Sequence, residues 1–302
     1  MSLFSRVVLF IFLSVAFISN AAGKIVDNDE FIITAEFDKK EYFSNESGLL
    51  TIWLYTTNPN LNGFEEISPV SVNKGEFAYF AKVNEMPRAT HKKIKDKEYA
   101  AYPLGVYAIM FKDDGKYAIN AGSYRLSVNE PVVVRDPFWG TVRTHRSEFV
   151  DVQGEKTRVK VKKLPMVEGI TSFSGAVGDY KIEVTIPRGE IIINEPATAI
   201  ITIEGEGLIG DDTMPDYHDS FKQGCVLKSV SDSNDYLYNG RCVVSRKVLE
   251  CEFIPTDIKN CLISPVEFSF FNPKSGKYEI LRSEPVSVNV KSSTVRITPI
   301  DI

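Results

Sequence analysis

The sequence predicts an all-β chain of two tandem immunoglobulin-like β-sandwich domains. Three observations carry that prediction. Runs of β-branched and aromatic residues alternate with polar ones at period two, as in Tyr180–Pro187, where Ile182, Val184 and Ile186 alternate with Lys181, Glu183 and Thr185. Clusters of Gly, Pro, Asn and Asp separate these runs. The second half also repeats the first in outline. Asn45-Glu46 and Asn194-Glu195 each precede a strand-like run, and Tyr107–Ile119 and Cys251–Ile263 each read strand, polar turn, strand at nearly the same offset.

Length and composition agree. The chain has 302 residues, 43% hydrophobic and 25% charged, which is ordinary globular composition and enough for two cores. A net charge of −5 gives no sign of a nucleic-acid binder, which needs a basic face.

Taken in order, Met1–Ala22 reads as a secretory signal peptide: one positive charge, the apolar run Val7–Ile18, then small residues at Ser19-Asn20-Ala21. The apolar run is shorter than the ~20 residues that a membrane span needs. An exported, periplasmic chain is therefore expected, with a first domain over residues 23–163 and a second over residues 164–302. In the first, Phe31–Phe37 and Gly48–Thr56 read as strands, with Trp53 expected in the core. Thr57–Gly63 reads as a loop, Phe77–Lys82 as a strand, and Asn84–Glu98 as a lysine-rich loop. Val106–Lys112, Lys116–Ile119 and Ser123–Val128 read as a β-meander, with turns at Asp113-Asp114-Gly115 and Asn120-Ala121-Gly122. Glu148–Val152 and Lys156–Lys162 read as a hairpin around Gln153-Gly154-Glu155, and Leu164–Gly169 as the linker. In the second domain, Tyr180–Pro187 and Ala197–Glu204 read as an antiparallel pair with turns at Arg188-Gly189-Glu190 and Asn194-Glu195-Pro196.

All four cysteines, Cys225, Cys242, Cys251 and Cys261, lie in the second half, and an even number in an exported chain reads as two disulfides. Four cysteines allow three pairings. Cys225–Cys242 and Cys251–Cys261 is preferred, because each pair flanks a turn, Ser231–Asn239 and Pro255–Asn260. A redox-active pair or a zinc site is disfavoured, since no C-x-x-C or similarly close spacing is present.

Three other patterns imitate chemistry. Gly205–Gly210 spells G-x-G-x-x-G after a strand, but Asp211-Asp212-Thr213-Met214-Pro215 follows where a helix N-terminus should cradle phosphate, so a β loop is expected and no cofactor. Asp211, Asp212, Asp216, His218 and Asp219 form an acidic cluster with no EF-hand spacing, and no metal site is expected there. Of the histidines, His91, His145 and His218, two have a nearby serine, Ser147 and Ser220. No G-x-S-x-G elbow accompanies them, and no catalytic residue is assigned.

Asp136-Pro137-Phe138-Trp139-Gly140 is the one candidate contact site. Exposed, Phe138 and Trp139 would anchor a partner; otherwise they pack into the first domain or between the two.

The stretch Phe173-Ser174-Gly175-Ala176-Val177-Gly178-Asp179-Tyr180, a strand, Asn194-Glu195-Pro196 and a second strand ending in Gly205-Glu206-Gly207 resembles the BatD family of Bat-operon aerotolerance proteins. A second block agrees: Phe270-Phe271-Asn272-Pro273-Lys274-Ser275-Gly276-Lys277-Tyr278, then Ser283-Glu284-Pro285-Val286. The resemblance is strongest over residues 162–290. It implies a non-enzymatic envelope component working beside von Willebrand A-domain Bat proteins and a MoxR-type ATPase. Members of that family carry a C-terminal transmembrane helix, and the run ending at Ile302 offers none. An exported adhesion or glycan-binding β-sandwich is the alternative, and a hydrolase using His145 or His218 a further rival.

Overall fold

In a computed structural model, which describes residues 30–82, 86–166 and 173–292, every regular element is a strand. The all-β expectation is correct. The signal-peptide stretch and most of the linker lie outside the described residues. Among those residues no helix is long and apolar enough to cross a membrane.

Strands before residue 163 pair only with one another, as do those after residue 175. In the N-terminal half, β1 (Phe31–Phe37), β3 (Ser47–Thr56), β8 (Lys97–Met110) and β6 (Glu76–Lys82) form one antiparallel sheet, to which β7 (Thr90–Ile94) adds against β8. A second sheet has the order β2 (Glu41–Phe43), β12 (Lys156–Lys162), β9 (Gly115–Asn120) and β5 (Ser71–Val72), with β2 parallel to β12. A third has the order β11 (Gly140–Gln153), β10 (Ser123–Asp136) and β4 (Leu61–Ser68). Alternation sets what each sheet buries. Phe31, Ile33 and Ala35 of β1 join Leu50, Ile52 and Leu54 of β3 on one face, and Tyr117, Ile119, Val159, Val161, Tyr124 and Leu126 face them from the other two sheets.

In the C-terminal half the facing sheets are shorter. A main sheet runs β14 (Asp179–Thr185), β16 (Ala197–Glu206), β18 (Val243–Pro255) and β17 (Cys225–Tyr238). Opposite lie β13 (Ala176–Val177), β20 (Glu267–Asn272) and β21 (Lys277–Arg282), with the short pairs β15 (Ile191–Ile192) with β23 (Val290–Lys291) and β19 (Leu262–Ile263) with β22 (Val286–Ser287). Ala199, Ile201, Leu249 and Phe253 meet Ile263, Val266 and Val290 in one core cluster, and Tyr180, Ile203, Phe268 and Phe270 form a second.

Two turns, one in each half, share the same local geometry. Asn45 and Asn194 are both left-handed, with φ of 63° and 62°. Each donates its backbone N–H to a carbonyl that ends the central strand's edge, Phe111 at 2.6 Å and Pro255 at 2.9 Å. Each is followed by a glutamate whose N–H closes a turn, onto Phe43 at 3.1 Å and onto Ile192 at 3.2 Å. In both halves a short strand before this turn runs parallel to a late strand, β2 with β12 and β15 with β23.

Several local expectations are corrected. The stretch 106–128 is not a meander: β8 pairs with β3 and β6, β9 with β12 and β5, and β10 with β11 and β4. Consecutive strands switch sheets here, because Gly115 and Gly122, with φ of 126° and 82°, turn the chain across the sandwich rather than back along one sheet. For the same reason 148–162 is not a hairpin; β11 and β12 lie in different sheets. Of the loop expected over Asn84–Glu98, residues 84 and 85 lie outside the described residues, and β7 with the start of β8 forms an exposed hairpin; Leu61–Gly63 opens β4. Trp53 is half-buried outside the main core, stacked on buried Tyr55 with centroids 6.1 Å apart and planes at 11°.

The four cysteines are free thiols in this structure. The expected Cys225–Cys242 bond is excluded by geometry. Ser231–Tyr238 is not a turn but part of β17, which pairs with β18 from Cys225↔Pro255 to Tyr238↔Val243. Cys225 and Cys242 therefore sit at opposite ends of a ribbon roughly 40 Å long at ~3.3 Å per residue. Cys251 and Cys261 lie in the same core cluster, but the thiol that meets Cys261 is Cys225.

Candidate interaction surface

Strands β10 and β11 stay in register over their full length, from Ser123↔Gln153 to Asp136↔Gly140. The third strand, β4, supports β10 only from Ser123 to Val128. Beyond Val128 only the Asn129 N–H still reaches across, to the Asn60 carbonyl at 2.9 Å, and the pair continues as a two-stranded arm with no further strand along either edge among the described residues. Roughly 3.4 Å per residue over the eight residues from Val128 to Asp136 places the tip about 27 Å past that last supported position.

The tip is built by local sequence. Asp136 Oδ1 accepts the N–H groups of Phe138 and Trp139, each at 2.8 Å, Pro137 sets the backbone for the turn, and Gly140 takes φ of 71°. Asp and Pro at the first two positions and a left-handed Gly after the turn are the chemistry of a three-residue hairpin loop. The consequence is that Phe138 and Trp139 are held out in solvent, 93% and 83% exposed. The alternative, that they pack into the first domain or between the halves, is not what this structure shows.

Register also sorts the arm into two faces. Val132↔Thr144 and Val134↔Val142 continue the face that is buried further down as Tyr124, Leu126 and Val128. Here it is uncovered, with Val134 and Val142 exposed. The opposite face carries Val133↔Arg143, Arg135↔Thr141 and Pro131↔His145. Arg146 is paired with Glu148 at 2.9 Å, whereas Arg135 and Arg143 have no ion-pair partner among the described residues. At the arm's base Arg125 grips Asp151 across the strands with two hydrogen bonds of 2.7 and 2.9 Å, and that contact holds the Asp151 carboxyl below the usual carboxylate range. The arm is thus an aromatic-tipped ribbon: one face carries Val132, Val134 and Val142 toward the tip, with Glu130↔Arg146 nearer the base, and the other carries Arg135 and Arg143 beside Val133, on a chain of net charge −5.

A second feature lies between the halves, a cleft of about 180 Å³ lined by Lys39, Glu46, Asp179, Glu206, Arg241 and Lys274, among others. Its charges are mostly engaged with each other. Lys39 pairs with Glu46 at 2.6 Å, and Lys274 bridges Glu206 at 2.7 Å and Asp179 at 3.0 Å. The Lys274 hydrogen bond lowers the Glu206 carboxyl and raises the lysine in return. The halves also touch through Phe43 on Phe271, at 4.9 Å, and through Leu208 N–H to Ser47 Oγ, at 3.2 Å. These contacts join the halves and leave little free charge for a ligand.

The remaining patterns fall apart spatially. Gly205 and Glu206 belong to β16, and a side chain on Gly205 would collide with the Asp179 carbonyl of the paired strand. Close strand approach thus explains this glycine. Asp211 accepts from Asn234 Nδ2 at 2.6 Å, Asp216 bridges to Glu267, and Asp219 pairs with Lys222. Among the described residues no three His, Cys, Asp or Glu side chains are grouped to hold a metal. His145 stands exposed on the arm while Ser147 Oγ donates to Asn129, and His218 stacks on Tyr217 while buried Ser220 donates to the Pro265 carbonyl. His91 is exposed on β7. One residue escapes any sequence reading: Lys247 is fully buried in β18, paired with Asp232 at 3.0 Å and donating to the Asp211 carbonyl at 3.0 Å, so it pins the loop after β16 onto the sheet.

No family model matches the chain, and no curated protein matches it. Among solved structures it is similar to the adhesin InvE of Yersinia pseudotuberculosis, at 10% identity and a TM-score of 0.21. That match covers 84% of this chain and spans 58% of the adhesin's length.

Proposed function

We propose that the chain is a non-enzymatic exported interaction protein, two tandem immunoglobulin-like domains whose first domain presents the β10–β11 arm to a partner protein. The single observation that carries this reading is the tip: two large aromatics, 93% and 83% exposed, fixed by Asp136 rather than left on a slack loop. Pre-ordered aromatics lose little freedom on docking and make strong interface anchors. Unpaired Arg135 and Arg143 beside an apolar face define the complement, an apolar pocket rimmed by carboxylates. The open edges allow main-chain pairing as well. The resemblance of residues 162–290 to the BatD family supports a Bat-type envelope setting, with A-domain proteins and a MoxR-type ATPase system as the partners to look for.

Full-length chain and the Phe138→Ala/Trp139→Ala variant are cross-linked in envelope extract and recovered for mass spectrometry. The expected result is an A-domain protein recovered with the wild type and reduced at least tenfold with the variant. Equal recovery with both, or bait alone, overturns the reading. Specific binding of the wild type on a glycan array, lost in the same variant, would transfer the arm to the adhesion alternative, since Phe138 and Trp139 would also stack on sugar rings.

A further inference from the structure

We infer that Cys225 and Cys261 form a structural disulfide, leaving Cys242 and Cys251 as thiols. The backbone brings these two residues together from segments 36 positions apart. Gln223 and Leu262 form an antiparallel bridge, with Leu262 N–H on the Gln223 carbonyl at 3.0 Å. Thr256 and Asp257 both donate to the Gly224 carbonyl, at 2.9 and 3.2 Å. Gly224 is left-handed, with φ of 64°, and a Cβ there would lie 3.0 Å from the Cys261 Cα and 2.5 Å from the Asn260 carbonyl oxygen. Glycine is required because the two backbones touch, and that contact brings the next residue, Cys225, alongside Cys261. The Cys225 Sγ lies 3.9 Å from the carbonyl oxygen of Leu262, the residue after Cys261, and the two thiols are near enough to shift each other's titration.

The other two sulfurs are placed differently. Cys251 is fully buried in the middle of β18, opposite Ala199 and Val230, and burial pushes its thiol up to about 11. Cys242 sits at the far end of the β17–β18 ribbon beside Asn239.

The bond forms by two exchanges with a disulfide-class oxidant. One cysteine thiolate attacks the oxidant's S–S bond and releases one thiolate, and the second cysteine attacks the mixed disulfide and releases the other. Two cysteine protons end on the two released thiols. Burial raises the Cys225 thiol, and burial first, then the neighbouring sulfur, pushes Cys261 up to about 12. Thiolate is therefore scarce once the core has closed, so oxidation belongs to folding. The closed ring encloses the whole β17–β18 hairpin and ties the start of edge strand β17 to the loop before β19.

The test is peptide mapping of the full chain after refolding with oxidised glutathione, alkylation under denaturing conditions without reductant, and trypsin digestion. Lys228, Arg246 and Lys259 separate all four cysteines onto different peptides. The expected result is one cross-linked pair, Cys225 with Cys261, that vanishes on reduction, with Cys242 and Cys251 alkylated. Alkylation at all four positions, or a bond that involves Cys251 or Cys242, overturns the assignment. The Cys242→Ser/Cys251→Ser variant guards against reshuffling: its oxidised monomer should show no free thiol and a mass two hydrogens below the reduced form, and two free thiols after the same oxidation would refute the pairing.

Discussion

The molecule carries two long hairpins of nearly equal length, one per half, and they end in opposite ways. β10–β11 and β17–β18 each hold strands of 13 or 14 residues. The second has a third strand, β16, along most of β18, and at its far end Tyr236 and Tyr238 share a cluster with Leu208 and Val243 of the same half and Ala108 of the other. Tyr236 also donates to the Ile209 carbonyl at 3.0 Å. The first loses its third strand at Val128 and leaves its aromatics in water. Aromatic residues near a hairpin end are thus packing in one half and a free surface in the other. What separates them is the extent of support beneath, which no local sequence feature reveals.

The strongest way to break the comparison is to unfold one half at a time. Phe111→Ala in the first core and Phe253→Ala in the second, both fully buried, should each cost about 3–5 kcal/mol. If the halves are separate cooperative units, calorimetry will show each variant moving one transition and leaving the other in place. A single transition shifted by both would mean that the cleft contacts weld them into one unit.

The comparison is sharpened by the paired asparagines. Asn45→Ala and Asn194→Ala should each destabilise by about 1 kcal/mol in chemical denaturation, since alanine tolerates the left-handed region poorly, while glycine at either site should be accepted. Unequal costs beyond a factor of three would deny that the two turns are counterparts.

The smallest effect concerns the base of the arm. Asp151 is held below the ordinary carboxylate range by Arg125, so its contribution is present above the unfolded value and is lost as pH falls through the lower folded one. Wild-type stability relative to Asp151→Asn should therefore shrink below roughly pH 4. The pair is about one-third exposed, which keeps the effect modest, and a difference independent of pH would remove the ion pair as its cause.

Sequence reading succeeded where strands bury one face. Phe31–Phe37 and the pair formed by β14 and β16 were legible because Ile, Val, Ala and Phe recur at every second position. The same rule failed where neither face is covered. From Thr141 to Phe149 every residue of β11 is exposed, and β7 is polar and exposed up to its last residue, Ile94, so no alternation marks them as strands. Ser231–Asn239 misled for the same reason: exposed edge strand β17 reads as a polar turn, and the cysteine pairing inferred from that turn failed with it. Strand partners in 106–162 were illegible because non-local packing selects them. The Asp136–Gly140 loop was found by composition, but whether its rings face core or water depends on where β4 stops.

A two-stranded ribbon with two bare edges is also a template on which another extended chain can grow, and apolar Val132, Val134 and Val142 would reward such growth. Pro131 removes one donor from an edge, and Arg135 and Arg143 put two unmatched positive charges beside it. Two copies stacking arm on arm would bring those charges together. If the arm docks an acidic partner as proposed, the same two arginines would serve recognition and oppose stacking of one arm on another.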